Sequence, residues 1–374
     1  MEAADNKIMC WQLVRLNFGR NLAHFGELGI GLESTSERVR SDTLFSAWMS
    51  AYAKLFGKNE VGQILNKYEQ NPQSAFRISS TFIYRYQDDE YTDYLPRPLV
   101  FPKGYPQDDD WNIKKVYESL KYLPLEVWHR WYQTEEGITN DLDELTEIAE
   151  ARTKDEIDKR TELYKAGTFE YSENFKIALV PKVAIDRITR ATSLYHTGFV
   201  KFNWEPEAQY HTGLYFLVNF PGGFDETIRE NLTIALDLLG EEGIGGERSS
   251  GAGRFKPDWS GLDDIWQEIL NPLNLENPHY CLISLYWQDP NRGFSNGLLG
   301  DAARYELLRR SGWISSPFSG RQLRRKSLWM FAESSVFPIP PLGEVADITP
   351  NDFRSNHSIY RSGICVSLPI NQPE

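Results

Sequence analysis

Cysteine is scarce in this 374-residue chain, and the three present, Cys10, Cys281 and Cys365, lie far apart with no metal-ligand spacing between them. That excludes a zinc ribbon and a disulfide framework, and the thiols read as reduced, buried groups of a cytoplasmic protein. No apolar run is long enough to span a bilayer. The first residues, Met-Glu-Ala-Ala-Asp-Asn-Lys, are polar and acidic, where a secretion signal would be basic and then apolar. An excess of positive charge is also missing: 40 Lys and Arg against 53 Asp and Glu leave −13. A protein that slides on bulk DNA would be basic, because nonspecific affinity accumulates from phosphate contacts.

Glycine, in contrast, is concentrated. Residues 239–257 read Leu-Gly-Glu-Glu-Gly-Ile-Gly-Gly-Glu-Arg-Ser-Ser-Gly-Ala-Gly-Arg-Phe-Lys-Pro. Glycine leaves no Cβ between backbone and ligand, and a run of N–H groups flanked by Arg248 and Arg254 suits phosphate. Gly246 to Gly251 begins a Walker pattern, but Ala252-Gly253 stands where Lys-Ser/Thr belongs, so nucleotide triphosphate hydrolysis is excluded. The dinucleotide fingerprint fails as well, because Arg248 replaces its third glycine and a helix precedes the loop where a strand should. That helix is marked by Phe224, Ile228, Leu232, Ala235, Leu236 and Leu239. An extended nucleic-acid backbone fits such a loop better than a nucleotide does.

Charge is unevenly spread. Residues 133–163 hold eleven acidic and four basic side chains, a net of −7, and form an acidic insertion. Residues 300–330 hold Arg304, Arg309, Arg310, Arg321, Arg324, Arg325 and Lys326 against Asp301 and Glu306, a net of +5. A locally basic groove on an acidic protein is compatible with one specific RNA held by a few contacts.

Strand and helix signals alternate. Trp11 to Phe18 alternates as a strand, and Leu44, Trp48, Tyr52 and Leu55 form a helical stripe with Ser41 as N-cap. Phe76 to Tyr86 is a second strand, Tyr94 to Pro102 is a proline-rich connection or edge, and Asn112 to Tyr132 is helical with a break at Pro124. Lys176 to Pro181, Thr197 to Phe202 and Leu214 to Phe220 are strands, followed by the helix near 224–239 and strands near 280–287 and 327–332. The pattern is α+β, and it predicts two ferredoxin-like domains, residues 1–170 and 171–374, the second carrying the glycine-rich loop 243–255.

The loop Gly-Ile-Gly-Gly-Glu-Arg-Ser-Ser-Gly-Ala-Gly-Arg-Phe resembles the glycine-rich loop of RAMP proteins in CRISPR effector complexes. More narrowly, the chain resembles the fourth-subunit family of the type III-A (Csm) complex. Leu22 to Gly26, Ser41 to Ala47, Lys114 to Trp131, Val183 to Arg190, Lys326 to Pro338 and Ser358 to Gly363 extend the likeness in order along the chain. The resemblance implies the same two-domain architecture, no catalysis, no cofactor and no membrane. It also implies three partners: the repeat-derived 5′ handle of a CRISPR RNA, a large polymerase-like subunit and a backbone RAMP subunit.

The RNA-binding candidates are Gly243, Gly245, Gly246, Arg248, Ser249, Ser250, Gly251, Gly253, Arg254 and Phe255 in the loop, with Ser41, Thr43, Arg187, Arg190 and His24 elsewhere. Ser41-Asp42-Thr43 opens a helix, where N–H groups and hydroxyls serve either an anion or plain capping. By the resemblance Arg187 and Arg190 lie beside RNA, while a structural pair with Asp186 accounts for them equally well. His24 is either structural, RNA-stacking, or the general acid or base of a metal-independent endoribonuclease that processes repeat RNA. Trp48 and Trp266, on helical stripes, belong to the core. The abundant aromatics and carboxylates also suit a carbohydrate-active protein, but that reading leaves the glycine–arginine loop unused.

Overall fold

The computed structural model describes residues 10–26, 31–106, 111–150, 163, 171–273, 275–314, 323–353 and 357–373. Strand β1 (Cys10–Asn17) leads into helices α1 (Ser41–Phe56) and α2 (Lys58–Gln70). Strands β2 (Arg77–Ile78), β3 (Phe82–Gln87) and β4 (Glu90–Pro96) follow, then helix α3 (Trp111–Ser119), strand β5 (Tyr122–Pro124), and helices α4 (Leu125–Gln133) and α5 (Leu142–Glu150). A long hairpin comes next, made of β6 (Phe175–Ile185) and β7 (Thr192–Phe202). Short β8 (Trp204–Glu205), β9 (Tyr210–Phe220), helix α6 (Glu226–Glu242), β10 (Lys256–Ser260) and helix α7 (Asp264–Leu270) complete this part.

One antiparallel sheet runs in the order β10-β1-β9-β3-β4-β5. In β9 the side chains alternate between two buried faces. Leu214, Phe216 and Val218 meet Trp48 of α1 and Leu232, Leu236 and Leu239 of α6. Tyr215 and Leu217 face the opposite way, toward Trp128 and Trp131 of α4 and Trp266 of α7. The period of two along a strand makes that division unavoidable, and burial on both faces explains why β9 is apolar almost throughout.

Taken by chain order, β1, α1, β3, β9, α6 and β10 form one βαββαβ unit that spans residues 10–260. The division expected at residue 170 is therefore corrected. β1 pairs with β9 over Cys10–Leu16 and with β10 over Leu13–Asn17, so residues on both sides of that boundary build the same sheet. The glycine-rich loop belongs to this first unit.

The described residues of the remainder do not form the second ferredoxin-like domain expected from the sequence. After α7 the described residues contain no α-helix. They form small antiparallel sheets: β11 (His279–Leu282) with β14 (Val336–Phe337) and β17 (Ser367–Ile370), β12 (Leu307–Arg310) with β13 (Leu328–Phe331), and β15 (Val345–Asp347) with β16 (Tyr360–Ser362). Cys281, Leu368 and Ile370 lie in the same core as Trp128 and Trp266, which fuses the two parts.

Smaller expectations also shift. The stretch Glu90–Pro96 is a strand inside the sheet, where a connection was expected from Tyr94 onward. Pro96 sits at its last position, where the missing N–H costs least. The strand expected over Phe76–Tyr86 is interrupted at Ser79, Ser80 and Thr81, whose backbone N–H groups bond to Leu217, Ile283 and Val39. The acidic insertion is partly core: Ile138, Leu145 and Leu163 are fully buried, and Asp141 accepts from Trp131 Nε1 at 2.6 Å and Arg130 Nε at 3.0 Å. Residues 151–162 of that insertion lie outside the described residues.

Candidate nucleic-acid interface

The loop between α6 and β10 begins where α6 ends, with the Gly243 N–H bonded to the Leu239 carbonyl at 2.8 Å. It then lies against the segment Leu22–Phe25. The Gly246 N–H donates to His24 O at 2.8 Å, and the Gly253 N–H donates to Leu22 O at 2.7 Å. These contacts, and no ligand, account for two of the glycines. A Cβ on Gly246 would stand 2.6 Å from His24 Cδ2, and one on Gly253 would stand 2.0 Å from Ile244 O. Gly251 is different: its φ is +85°, and nothing lies within 4 Å of an added Cβ.

The loop's N–H groups are therefore largely committed to the protein itself. Those of Ile244, Ser250, Gly251, Ala252 and Phe255 bond to Gly253, Glu247, Arg248, Glu247 and Gly240. A cradle of N–H groups along the whole loop, expected from sequence, gives way to side chains. Arg248, Ser249, Ser250 and Arg254 are exposed, whereas Phe255 is buried against Phe18. Gly243 is buried, and Gly245 is exposed with its α-carbon turned toward His24 O.

His24 is a packing residue in this arrangement. Its ring is buried, Nδ1 lies 2.7 Å from Gly198 O, and the ring meets Phe199 edge-on. A carbonyl only accepts, so Nδ1 carries the proton.

Ser41 and Thr43 do not form an anion site at the start of α1. The N-cap is Arg40, and Ser41 is the first helical residue. Ser41 Oγ accepts from the Leu285 N–H at 3.0 Å, and Thr43 Oγ1 accepts from Arg310 Nη2 at 3.0 Å. The buried Asp42 carboxylate takes both Nε and Nη2 of Arg310 at 3.0 Å and a further bond from Arg361. The helix start is filled by arginines of the carboxyl-terminal part. Sequence reading left Arg310 as one charge in a basic run and missed Arg361; only their distance along the chain hid the pairing.

Arg187 and Arg190 lie at the end of the β6–β7 hairpin and are exposed. Asp186 does not pair with them. Its Oδ1 accepts from the N–H groups of Ile188 and Thr189 and from Thr189 Oγ1, which shapes the turn and holds the carboxyl below its ordinary pKa. Lower on the same hairpin, Lys182 pairs with Glu247 of the glycine-rich loop. Lys182 lies within β6 and Arg187 in the turn beyond the strand's end at Ile185, so the hairpin carries its arginines past this contact with the loop.

Beside the loop a cavity of about 1050 Å³ opens between the βαββαβ unit and the carboxyl-terminal part. Its walls come from α1, from Gly243–Gly246 with Arg248, and from Arg310, Arg325 and His357. Arg38, Arg40, Lys54, Lys58, Arg248, Arg310 and Arg325 line it, against the single carboxylate Glu242, which Lys54 holds at 2.6 Å. Next to the cavity, Glu333 is buried between Arg38 and Arg40 and also accepts from Ser80. Burial raises the Glu333 pKa, but the two guanidiniums outweigh it and hold the carboxyl well below the usual range.

Comparison with known proteins gives a consistent result. Residues 28–256 match the family model described as the RAMP superfamily, and residues 275–370 match the CRISPR Csm4 C-terminal domain. The chain is 27% identical over 379 residues to the "CRISPR system Cms protein Csm4" of Methanocaldococcus jannaschii, covering 93% of this chain and 94% of that relative. It is 26% identical to the protein of the same description from Thermococcus onnurineus, covering 90% and 92%. Among solved structures, a chain of the Csm3–Csm4 subcomplex in the type III-A CRISPR-Cas interference complex superposes with a TM-score of 0.54 at 19% identity, covering 96% of this chain and 99% of that one. A chain of the Csm1–Csm4 cassette in complex with cA4 superposes with a TM-score of 0.51 at 18% identity, covering 98% and 100%. The two family matches end and begin on either side of α7, where the βαββαβ unit gives way to the small sheets.

Proposed function

The chain belongs to the RAMP superfamily and, within it, to the Csm4 family, and from this we propose that it is a non-catalytic RNA-binding subunit of a type III-A CRISPR interference complex. It holds the repeat-derived 5′ handle of the CRISPR RNA and joins the large polymerase-like subunit to the backbone RAMP subunits. The observation that carries the RNA reading is the concentration of cations at the cavity beside the glycine-rich loop: seven Lys and Arg side chains line it, Glu242, Glu333 and Asp42 pair with four of them, and Arg325 meets no carboxylate among the described residues, in a chain whose net charge is −13. Such a concentration on an acidic protein favours one polyanion at one place. Arg248, Ser249, Ser250 and Arg254, exposed on the loop, supply charge-assisted and hydroxyl contacts to a single strand.

Two features support the assembly reading. The similar solved structures are a Csm3–Csm4 subcomplex and a Csm1–Csm4 cassette. The β6–β7 hairpin of this chain exposes Leu179, Val183, Ile185, Ile188 and Leu194, an apolar face suited to a protein or base partner.

The test is to assemble the complex with wild-type chain or with Arg248→Ala/Arg254→Ala and to quantify the copurifying RNA. The double variant is expected to lose most of the handle-bearing RNA. Equal retention, with the complex intact, would remove the loop from the RNA site.

A further inference from the structure

One cation in the cavity wall, Arg325, meets no carboxylate among the described residues. The Arg325 side chain is half-buried, and its Nε is buried without a hydrogen-bond partner. Its backbone N–H bonds to Gly312 O at 2.9 Å, and its Nη2 lies 2.9 Å from the position a Cβ on Gly312 would take. The glycine therefore leaves the space into which the guanidinium folds. The neighbouring guanidinium, Arg310, is matched by Asp42 and Thr43. Burial first, and the Arg310 charge second, lower the Arg325 pKa. A buried charge beside a like charge is costly unless something outside the chain compensates it.

The Asp42 and Glu333 carboxylates are already shared, each between two arginines. Glu242, the carboxylate in the cavity wall, faces Lys54. The cavity gives an anion access to this guanidinium, and Arg325, Arg310, Thr43 and Arg248 all line it. We propose that Arg325 is a phosphate-binding residue, and that the carboxyl-terminal wall of this cavity holds one phosphate of the single strand whose neighbouring nucleotides lie on the glycine-rich loop. That the phosphate belongs to RNA rests on the function proposed above; that the wall binds an anion rests on the charges alone.

The experiment uses the full chain and the variants Arg325→Met and Arg325→Lys. Inorganic phosphate is expected to raise the melting temperature of the wild type and of Arg325→Lys, but not of Arg325→Met. Without any anion, Arg325→Met melts no lower than wild type, because the removed charge was unpaired; a structural role for Arg325 predicts the reverse. A handle-length RNA oligonucleotide is expected to bind Arg325→Met about tenfold more weakly, with the slope of log affinity on log salt reduced by about 0.7. Two forms of the oligonucleotide distinguish the source of the phosphate. Equal losses with a 5′-hydroxyl and a 5′-phosphate assign an internal phosphodiester, and a loss confined to the 5′-phosphate form assigns the strand end. Unchanged affinity and slope for both forms overturn the site as a nucleic-acid contact. Should the wild type bind neither oligonucleotide, the handle reading fails, and the phosphate melts alone decide whether the anion site stands: an identical response in wild type and Arg325→Met overturns it.

Discussion

Asp42 and Arg310, 268 residues apart in the chain, meet in a two-pronged ion pair in which Nε and Nη2 each donate to the carboxylate at 3.0 Å. Arg361 of β16 joins them on the same carboxylate, whose side chain is fully buried. One acid at the start of α1 thereby fastens two separate strands of the carboxyl-terminal part to the βαββαβ unit.

Removing that acid takes the shared carboxylate away from two buried guanidiniums. Asp42→Asn is expected to destabilise the protein by about 3–5 kcal/mol, read from urea or guanidinium denaturation. A loss below about 1 kcal/mol would mean that the pair behaves like a surface bridge and that the join between the two parts is made elsewhere.

The glycines of the loop are expected to separate by cause. Gly251→Ala meets no neighbour and costs only its positive φ, about 1–2 kcal/mol. Gly246→Leu drives a side chain into the His24 ring and is expected to lower both stability and RNA retention. A Gly246→Leu protein as stable as wild type would show that the loop does not lie on the Leu22–Phe25 segment.

For His24, the ring's hydrogen bond to Gly198 and its packing under Gly246 predict a structural effect. His24→Ala should cost about 1–2 kcal/mol, and the purified wild-type chain should leave a repeat RNA uncut. Cleavage by the wild type that the variant loses would make the chain an endoribonuclease.

Glu333 gives a pH signature. Its folded pKa lies below its unfolded one, so its stabilisation is full above the unfolded value and declines as pH falls toward the folded value. Relative to Glu333→Gln, the wild type should be more stable at about pH 6, and the gap should narrow toward about pH 3. A gap that stays constant over that range would show that the arginines do not hold the carboxyl down. The same comparison at neutral pH reads the pairing of Arg38 and Arg40.

What the sequence determined by itself was local. Alternation placed β1 and β9, the 3.6-residue stripe placed α1 and α6, and the density of glycine marked a connection that packs backbone to backbone. The order of motifs identified the family without any structure. What it did not determine was every relation that depends on distant segments meeting. The boundary at residue 170 looked sound because the acidic insertion and hairpin lengthen the middle of one βαββαβ unit, and pairing of β1 with β9 and β10 is invisible to local pattern. The glycines were read as making room for a ligand, and the structure uses Gly246 and Gly253 to make room for Leu22–Phe25 and Ile244. Ser41 and Thr43 suggested an anion site, and tertiary contact filled the place with Arg310 and Arg361. Whether an arginine is paired is a property of the folded chain: the run around Arg324-Arg325-Lys326 shows three charges in sequence, and only packing decides that one of them, Arg325, lines the cavity with no acid to meet it among the described residues.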